Sequence, residues 1–188
     1  MACSVTSARG LNCRDQVGGV KAIYLSTFDP AFYDGLTITA SSNTVTAIGA
    51  AQSVYRYDVR PQTSSFTVTM NAADAGSAAY DIACEVTLHS MTSADNAELA
   101  NVVGSLMVVY VLDANDNVWV LGAQNGVQVT AGTASTGTAR ADLNGYTLSI
   151  TGSDSTLPLL ITASADATAA NWPFDSITTT VYTVTNPS

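Results

Sequence analysis

NVWVLGAQNGVQVTAGTASTGTARADLNGYTLSITG, residues 117–152, is the most informative part of the sequence. Its two Asn-Gly pairs, Asn125-Gly126 and Asn144-Gly145, are flanked by alternating apolar and polar residues. Asn-Gly accepts the positive φ values that tight hairpin turns require, so the pattern predicts short strands joined by hairpins. The stretch contains no candidate catalytic group, which indicates a structural building block.

Length and composition predict one folded domain over residues 1–188. The chain is long enough for one substantial core and short for two. Charged residues make up 11% and hydrophobic residues 47%, which argues against disorder. So few charges are typical of a surface that is buried against other copies, because charged residues are depleted in interface cores. The alternative is a β protein with an ordinary Ser/Thr surface.

The charge is unevenly distributed along the chain. Residues 1–60 hold five of the six basic residues against four acids, whereas residues 61–188 hold only Arg140 against eleven acids. A nucleic-acid-binding protein needs a basic footprint, so specific binding to DNA or RNA is not expected. A weakly charged or acidic wall would instead suit a channel through which DNA slides. The alternative is that the acids only keep the subunit soluble.

The first half of the chain predicts an arm followed by strands. Residues 1–20 are interpreted as an N-terminal arm, and 20–28 as a strand covered on both faces that ends before Asp29-Pro30. The small, polar region 36–53 predicts strand fragments or a projecting loop. Residues 53–59 and 64–71 alternate well and are predicted to pair with each other antiparallel.

The clearest alternation lies in AYDIACEVTLHS, residues 79–90. One face of this strand is predicted to be apolar, which makes Cys84 a buried small side chain, and His89 falls on the polar face near the strand end. The apolar face consists of Tyr80, Ile82, Cys84, Val86 and Leu88.

A single helix is predicted over about 93–104. Thr92 or Ser93 can cap it, acids lie near its first turn, and Gly104 can end it. Apolar residues recur at helical spacing, namely Leu99, Val102, Val103 and Leu106. Residues 106–113 and 117–122 then predict a central hairpin, and 176–186 a last strand at a sheet edge. The fold class is therefore mainly β, an antiparallel sandwich or barrel with one flanking helix.

No pattern of residues predicts catalysis or ligand binding. His89 has no Ser or Cys partner at an interpretable spacing. The acidic run 113–117 lacks the glycine and glutamate of a calcium loop, since Val118 and Gln124 occupy those places, and it predicts a polar hairpin turn. Gly18-Gly19 and Thr136-Gly137 lack the Lys-Ser/Thr of a phosphate loop. We therefore expect no catalytic residue, no cofactor and no metal.

The cysteines and tryptophans receive structural interpretations. Cys3, Cys13 and Cys84 form no CxxC pair, so free thiols are the default, with a Cys3–Cys13 staple as the alternative. Trp119 and Trp172 are expected to be core or interface aromatics. No run of about 18 apolar residues is present, and the N-terminus lacks the pattern of a signal peptide, so folding in the cytoplasm is expected.

The order of these pieces resembles the tail tube (major tail) proteins of tailed bacteriophages. The resemblance is firmest over residues 93–162, where a helix, LMVVYVLD, NVWVLG, the NG turn, DLNGYTL and LPLLIT follow in the family's order. The opening GLNCRDQVGGVKAIYL also resembles the start of such virion proteins. The Ser/Thr-rich region 36–53 departs from the family pattern, which leaves the contact between rings unassigned.

The resemblance implies a structural role. Tail tube proteins fold as a β-sandwich or barrel with a flanking helix and form rings, typically hexameric, that stack into a conduit for DNA. The implied partners are other copies of the chain, other tail proteins and passing double-stranded DNA, in a virion tail assembled in the bacterial cytoplasm. Residues 1–20 and 36–53 are expected to mediate contacts between subunits. The alternatives are a tail terminator, a head-to-tail connector, a capsid decoration protein or, from another class, a carbohydrate-binding β-sandwich.

Overall fold

Two sheets and one helix make up the fold. The computed structural model describes residues 9–10, 16–39, 41–72, 78–177 and 182–187. The helix α1 spans Ser93–Val103, and two short 3-10 helices span Tyr33–Gly35 and Phe174–Ser176. The strands are β1 Val20–Thr27, β2 Leu36–Thr39, β3 Thr44–Ile48, β4 Gln52–Asp58, β5 Ser65–Ala72, β6 Ala78–His89, β7 Met107–Asp113, β8 Asn117–Leu121, β9 Gln128–Ser135, β10 Gly145–Asp154, β11 Leu159–Thr162 and β12 Tyr182–Thr185.

The strands divide into a large and a small sheet. The large sheet has eight strands in the order β12-β4-β1-β7-β8-β11-β3-β2. The small sheet has four strands in the order β5-β6-β10-β9, and all of its neighbours are antiparallel. The sheets curl over each other into a β-sandwich or half-barrel flanked by α1, so the predicted fold class is confirmed.

The main core lies between the two sheets. The centre of the large sheet, β7, is apolar along its length and buried on both faces, as the run MVVYVL requires. Its inner side chains meet those of β6 and β10, which alternate between buried and more exposed positions. The helix closes this layer with Leu99 and Val102.

A second core covers the far face of the large sheet. An aromatic cluster lies at its centre, with ring centroids between 4.3 and 6.5 Å apart in its contacts. These rings come from three strands and two connecting segments, so burial of the far face depends on parts of the chain distant in sequence. The cluster consists of Tyr24, Phe32, Tyr110, Phe174 and Tyr182.

Several local predictions are confirmed. Thr92 caps α1, its Oγ1 accepting a hydrogen bond from the Asp95 amide at 3.1 Å, and Gly104 ends the helix. Strand β1 is buried on both faces, and β7 and β8 form the central hairpin. Strand β6 buries Ile82, Cys84 and Val86 as expected. The C-terminal strand β12 lies at an edge of the large sheet, where it pairs parallel with β4.

Two predicted pairings are wrong. Strands β4 and β5 do not pair with each other, because β4 joins the large sheet and β5 the small one. The residues before and after Asn125-Gly126 do not form a hairpin either, since β8 and β9 belong to different sheets. Only Gly126 has a positive φ there, whereas a tight Asn-Gly hairpin turn needs two such residues.

Asn144-Gly145 also has a different role from the predicted tight turn. Strands β9 and β10 do form a hairpin, but residues 136–144 connect them, and Gly145 already belongs to β10. A Cβ atom added at Gly145 would lie 2.0 Å from the Leu88 carbonyl oxygen. Glycine is required here because two strands approach closely, rather than because of a turn conformation.

Region 36–53 forms strands rather than a projecting loop. Strands β2 and β3 pair antiparallel at one edge of the large sheet, and Val45 and Ile48 are buried in its core. Much of the predicted N-terminal arm, with Cys3 and Cys13, lies outside the described residues. Within 16–20, the Val17 amide and carbonyl both hydrogen-bond the Asn115 side chain.

Candidate functional site: the face and edges of the small sheet

The outer face of the small sheet is polar and carries no Lys or Arg. None of its four strands contains Lys or Arg. The cross-strand registers place Thr and Ser hydroxyls over this face, together with two carboxylates and one imidazole. The ionisable side chains of the face are Asp81, Glu85 and His89. The face is therefore hydrophilic with an acidic bias.

The groups on this face hydrogen-bond one another across the strands. Ser149 Oγ donates to Glu85 Oε1 at 2.6 Å, and the Asn71 side-chain amide donates to Asp81 Oδ2. The hydroxyls of Thr133 and Thr147 lie 2.6 Å apart. Such cross-strand hydrogen bonds hold the side chains in place and leave fewer donors and acceptors available for a ligand.

The hydrogen-bond ladder determines which backbone groups reach the two open edges. The Ser90 amide donates to the Asn144 carbonyl at 2.8 Å, and the Thr87 amide donates to Ser64 Oγ on the β5 side at 3.1 Å. In an antiparallel ladder, the backbone groups of successive residues point alternately to the two neighbouring strands. The backbone N–H and C=O groups of even-numbered β6 residues therefore hydrogen-bond β10, and those of odd-numbered β6 residues hydrogen-bond β5. The backbone groups that point outward are therefore those of Phe66, Val68 and Met70 on β5 and of Gly132 and Ala134 on β9.

Among the described residues, both edge strands lack the usual protection against pairing with another chain. SFTVTMNA of β5 and QVTAGTAS of β9 contain neither charge nor proline, and each is eight residues long. Soluble proteins normally guard such edges with charges, prolines or covering segments. Two unprotected edges on one small sheet are thus a candidate site for strand addition.

A groove of about 490 Å³ runs between α1 and β9, along one of these edges. Its walls are mostly apolar and include Leu99, Ala100 and Val103 of the helix. On the strand side, Gly132 and Ala134 leave space because they carry little or no side chain. At one end, the Tyr146 hydroxyl donates to Asn96 Oδ1 at 2.5 Å.

Large exposed apolar side chains occur next to both open edges. Met70 of β5 is 66% exposed, and Val103 at the end of α1 is 53% exposed. Leu106, which follows the helix, is 42% exposed. Val103 and Leu106 belong to the predicted apolar stripe of the helix, yet only Leu99 and Val102 of that stripe are buried.

A buried carboxylate anchors the corner where the chain crosses from the large sheet to the small one. Asp154 is 7% exposed, and its Oδ1 accepts a hydrogen bond from the Asn125 amide at 3.1 Å. Burial raises the pKa of Asp154, while hydrogen bonds from the backbone amides of residues 122–125 act in the opposite direction. Asp154 and the Ser153 carbonyl, which accepts from the Asn125 side-chain amide at 2.9 Å, thus tie Asn125 to the end of β10.

Residues that the sequence offered as possible ligand-binding or reactive groups form hydrogen bonds within the fold or are buried in its core. Asp113 Oδ1 accepts from the amides of Asn115 and Asn117, so the acidic run closes the β7–β8 turn, and Trp119 Nε1 donates to Asp113 Oδ2 at 3.0 Å. Trp172 Nε1 donates to the Ser164 carbonyl. Burial raises the pKa of the Cys84 thiol to about 12, which keeps it protonated and unreactive.

The described residues contain no group of three or more His, Cys, Asp or Glu side chains that could hold a metal ion. Among the same residues, no helix is long and apolar enough to cross a membrane. No protein-family model, curated protein or solved structure matches the chain.

The open edges and the groove were not predicted from the sequence. A signal for the edges is present, since β5 and β9 are uncharged segments with strand character. Their neighbours β6 and β10 carry the acids of the small sheet. The groove has no comparable signal, because it depends on where α1 lies across β9.

Proposed function

We propose that this chain is a structural subunit of a phage tail tube, which assembles into stacked rings around a conduit for DNA. The observation that carries the proposal is the small sheet, with a polar outer face that carries no Lys or Arg and with two edge strands that contain no charge and no proline. The order of motifs along residues 93–162 supports the same function. Ring formation would take place in the host cytoplasm, and the finished tube would belong to the virion tail.

The topology of the small sheet suits a ring of identical copies. Its four strands alternate in direction, so β5 and β9 at the two edges run antiparallel to each other. When a second copy in the same orientation adds its β5 beside β9, the new pair is again antiparallel. A head-to-tail contact of this kind is heterologous, and it closes into a ring when the rotation between copies allows it.

The polar face suits the wall of a conduit for DNA. Asp81 and Glu85 would repel phosphates, and no Lys or Arg on these strands would hold them. The described basic residues of the sheets lie in the large sheet, where Lys21 pairs with Asp116 and Arg56 with Asp58. Passing DNA would therefore meet hydroxyls and carboxylates that already hydrogen-bond each other.

Negative-stain electron microscopy of the purified chain tests the proposal directly. Open tubes or stacked rings are the expected result. Single closed rings would favour a tail terminator or connector instead. A protein that stays monomeric at all concentrations would contradict the proposal.

A pair of proline variants connects assembly to the β9 edge. Ala134→Pro should abolish assembly and leave the monomer folded, because the Ala134 amide points to the open edge and bonds no strand of its own sheet. Thr133→Pro is the matched control. The Thr133 amide points to β10, so proline at this position would remove a hydrogen bond within the sheet and should destabilise the monomer. Sedimentation velocity and urea unfolding measure the two effects. Normal tubes from Ala134→Pro would refute the role of this edge.

A charge reversal tests the wall of the conduit. The double variant Asp81→Lys, Glu85→Lys should bind duplex DNA in low salt and release it as salt rises, because the added cations displace counterions. The unmodified chain should not bind under the same conditions. Measurement by fluorescence anisotropy with labelled DNA is sufficient, and DNA binding by the unmodified chain would contradict a non-adhesive wall.

A further inference from the structure

The two open edges lie at different heights on the small sheet. Strand β5 is opposite residues 78–85 of β6. Strand β9 pairs with β10, and β10 pairs with β6. These two registers together place β9 level with residues 83–89 of β6. Two neighbouring copies can therefore pair these edges along their full length only if one copy is shifted along the strand direction by about four residues.

A shift of four residues also matches the side-chain faces. Side chains directly opposite each other in a sheet point to the same face, so only an even shift places the core-facing side chains of β5 beside those of β9. A shift of four sets Phe66 opposite Ala134, Val68 opposite Gly132 and Met70 opposite Val129. The larger side chains of one edge would then meet small residues at two of the three positions.

The same shift gives a strand tilt that closed sheets normally have. Four residues span about 14 Å at roughly 3.4 Å each, and four strands span about 19 Å at roughly 4.8 Å each. The ratio corresponds to a tilt of about 35°, at the lower end of the range of roughly 35–45° found in barrels. The stagger of the small sheet is thus compatible with closure into a ring.

We infer that Met70 of one copy packs into the groove between α1 and β9 of the next copy, against Val103 and Val129. The occupant of the groove is a second copy of this chain, and the inference rests on the proposed ring. Val103 and Val129 both line the groove, and Val129 is the residue that the four-residue shift places opposite Met70. The contact would cover Met70 and Val103, the two most exposed large apolar side chains near the open edges.

Crosslinking in the assembled protein tests this contact. Met70→Cys and Val103→Cys are combined in a chain that also carries Cys3→Ser and Cys13→Ser, and the assemblies are treated with a short bis-maleimide. Cys84 remains as a buried thiol whose raised pKa, about 12, protects it. Val103 lines the groove at β9, and three strand spacings, about 14 Å, separate β9 from β5 within one chain, so a short link between these two cysteines must join two copies. The expected result is a ladder of multimers on a denaturing gel.

A second cysteine pair tests the register. Met70→Cys with Ala134→Cys should give no ladder, because four residues of strand, about 14 Å, separate these positions in the inferred pairing. A ladder from this control, or none from Met70→Cys with Val103→Cys in chains that still form tubes, would overturn the contact alone. If the unmodified chain forms no assembly at all, the proposed function and the contact fail together.

A substitution at Met70 gives an independent measurement. Met70→Glu should raise the concentration needed for assembly at least tenfold, because it would bury a carboxylate in an apolar groove. Its monomer should unfold at the same urea concentration as the parent, since Met70 is already exposed there. Met70→Leu should assemble normally. Equal assembly by Met70→Glu and Met70→Leu would overturn the inference.

Discussion

The large and small sheets differ in how completely the chain covers them. The centre of the large sheet is buried on both faces, and its strand β7 has no side chain in full contact with solvent. The small sheet buries one face and leaves the other face and both edges uncovered. The two sheets therefore differ in the surface they offer: the large sheet holds most of the buried side chains, and the small sheet holds the face and edges on which the proposed contacts depend.

The division also explains the low fraction of charged residues. The large sheet needs apolar residues on both faces, and the small sheet needs edges without charges if other copies are to pair with them. Most charges lie in the turns, on the helix and on the outer face of β6, with Lys21 in β1, Arg56 and Asp58 in β4 and the buried Asp154 in β10 as further charged strand positions. Variants in each region should therefore separate loss of folding from loss of assembly.

The largest expected effect comes from breaking the far core of the large sheet. Phe174→Ala removes a ring that is 2% exposed and contacts Tyr24, Tyr110 and Tyr182. We expect a loss of about 3–5 kcal/mol in the free energy of unfolding, from lost burial and the remaining cavity. Urea unfolding followed by circular dichroism measures it, and a loss below about 1 kcal/mol would show that this core is not the source of stability.

An intermediate effect is expected at the corner between the sheets. Asp154→Ala removes the acceptor of the Asn125 amide and leaves buried backbone donors unpaired. The expected loss is about 1–3 kcal/mol. Asp154→Asn is the control, because its amide oxygen can still accept and it carries no charge to desolvate. Equal stability of the Ala and Asn variants would contradict the role assigned to this carboxylate.

A small gain is expected within the large sheet. The buried Tyr24 hydroxyl has no hydrogen-bond partner among the described residues, so Tyr24→Phe should stabilise the protein by about 1 kcal/mol at neutral pH. Urea unfolding at pH 7 checks this, and a loss above about 1 kcal/mol would contradict it.

The same substitution should alter the response to alkaline pH. Burial raises the pKa of Tyr24 to about 12. A smaller effect of the Arg56 charge lowers this pKa, and a smaller effect of the Asp58 charge raises it. The folded pKa lies above the unfolded value of 10.0. Ionisation of Tyr24 therefore costs no stability below about pH 10, and it lowers the free energy of unfolding progressively as pH rises toward 12. Tyr24→Phe should lose less stability between pH 9 and pH 11 than the parent, as measured by urea unfolding at each pH. An identical pH dependence of the two proteins would contradict this assignment.

The smallest effect is expected on the outer face of the small sheet. Thr133→Val removes an exposed hydroxyl that bonds Thr147, at an expected cost of no more than about 0.5 kcal/mol. A larger loss, measured by the same urea titration, would mean that this face contributes to folding, which would weaken the contrast between the two sheets.

Local patterns in the sequence predicted the elements better than their partners. The alternation in β6 and the capping residue of α1 depend on neighbouring residues, and both were predicted correctly. The choice of sheet depends on distant residues, so β4 and β5 were wrongly paired although each strand was correctly located. Asn125-Gly126 provides a turn, but the chain then enters the small sheet, and the Asn125 amide hydrogen-bonds Asp154, a residue 29 positions away that local patterns do not reveal.

The candidate site was only partly predictable for the same reason. The scarcity of Lys and Arg after residue 60 was visible in the composition, since Arg140 is the one such residue in 61–188. That the acids Asp81 and Glu85 share one face followed from alternation. The edge positions of β5 and β9 did not, because strand order requires knowing which segments cross between sheets.

The two edges of the small sheet are different surfaces, and this has a consequence for mixtures. In the proposed ring, a copy with Ala134→Pro would still present an intact β5, so it would join a growing arc through that edge but would offer the next copy no β9. Each such copy would then end the arc. When a minor fraction of the variant is co-expressed with the parent, the number of closed rings should therefore fall by more than the fraction of variant present.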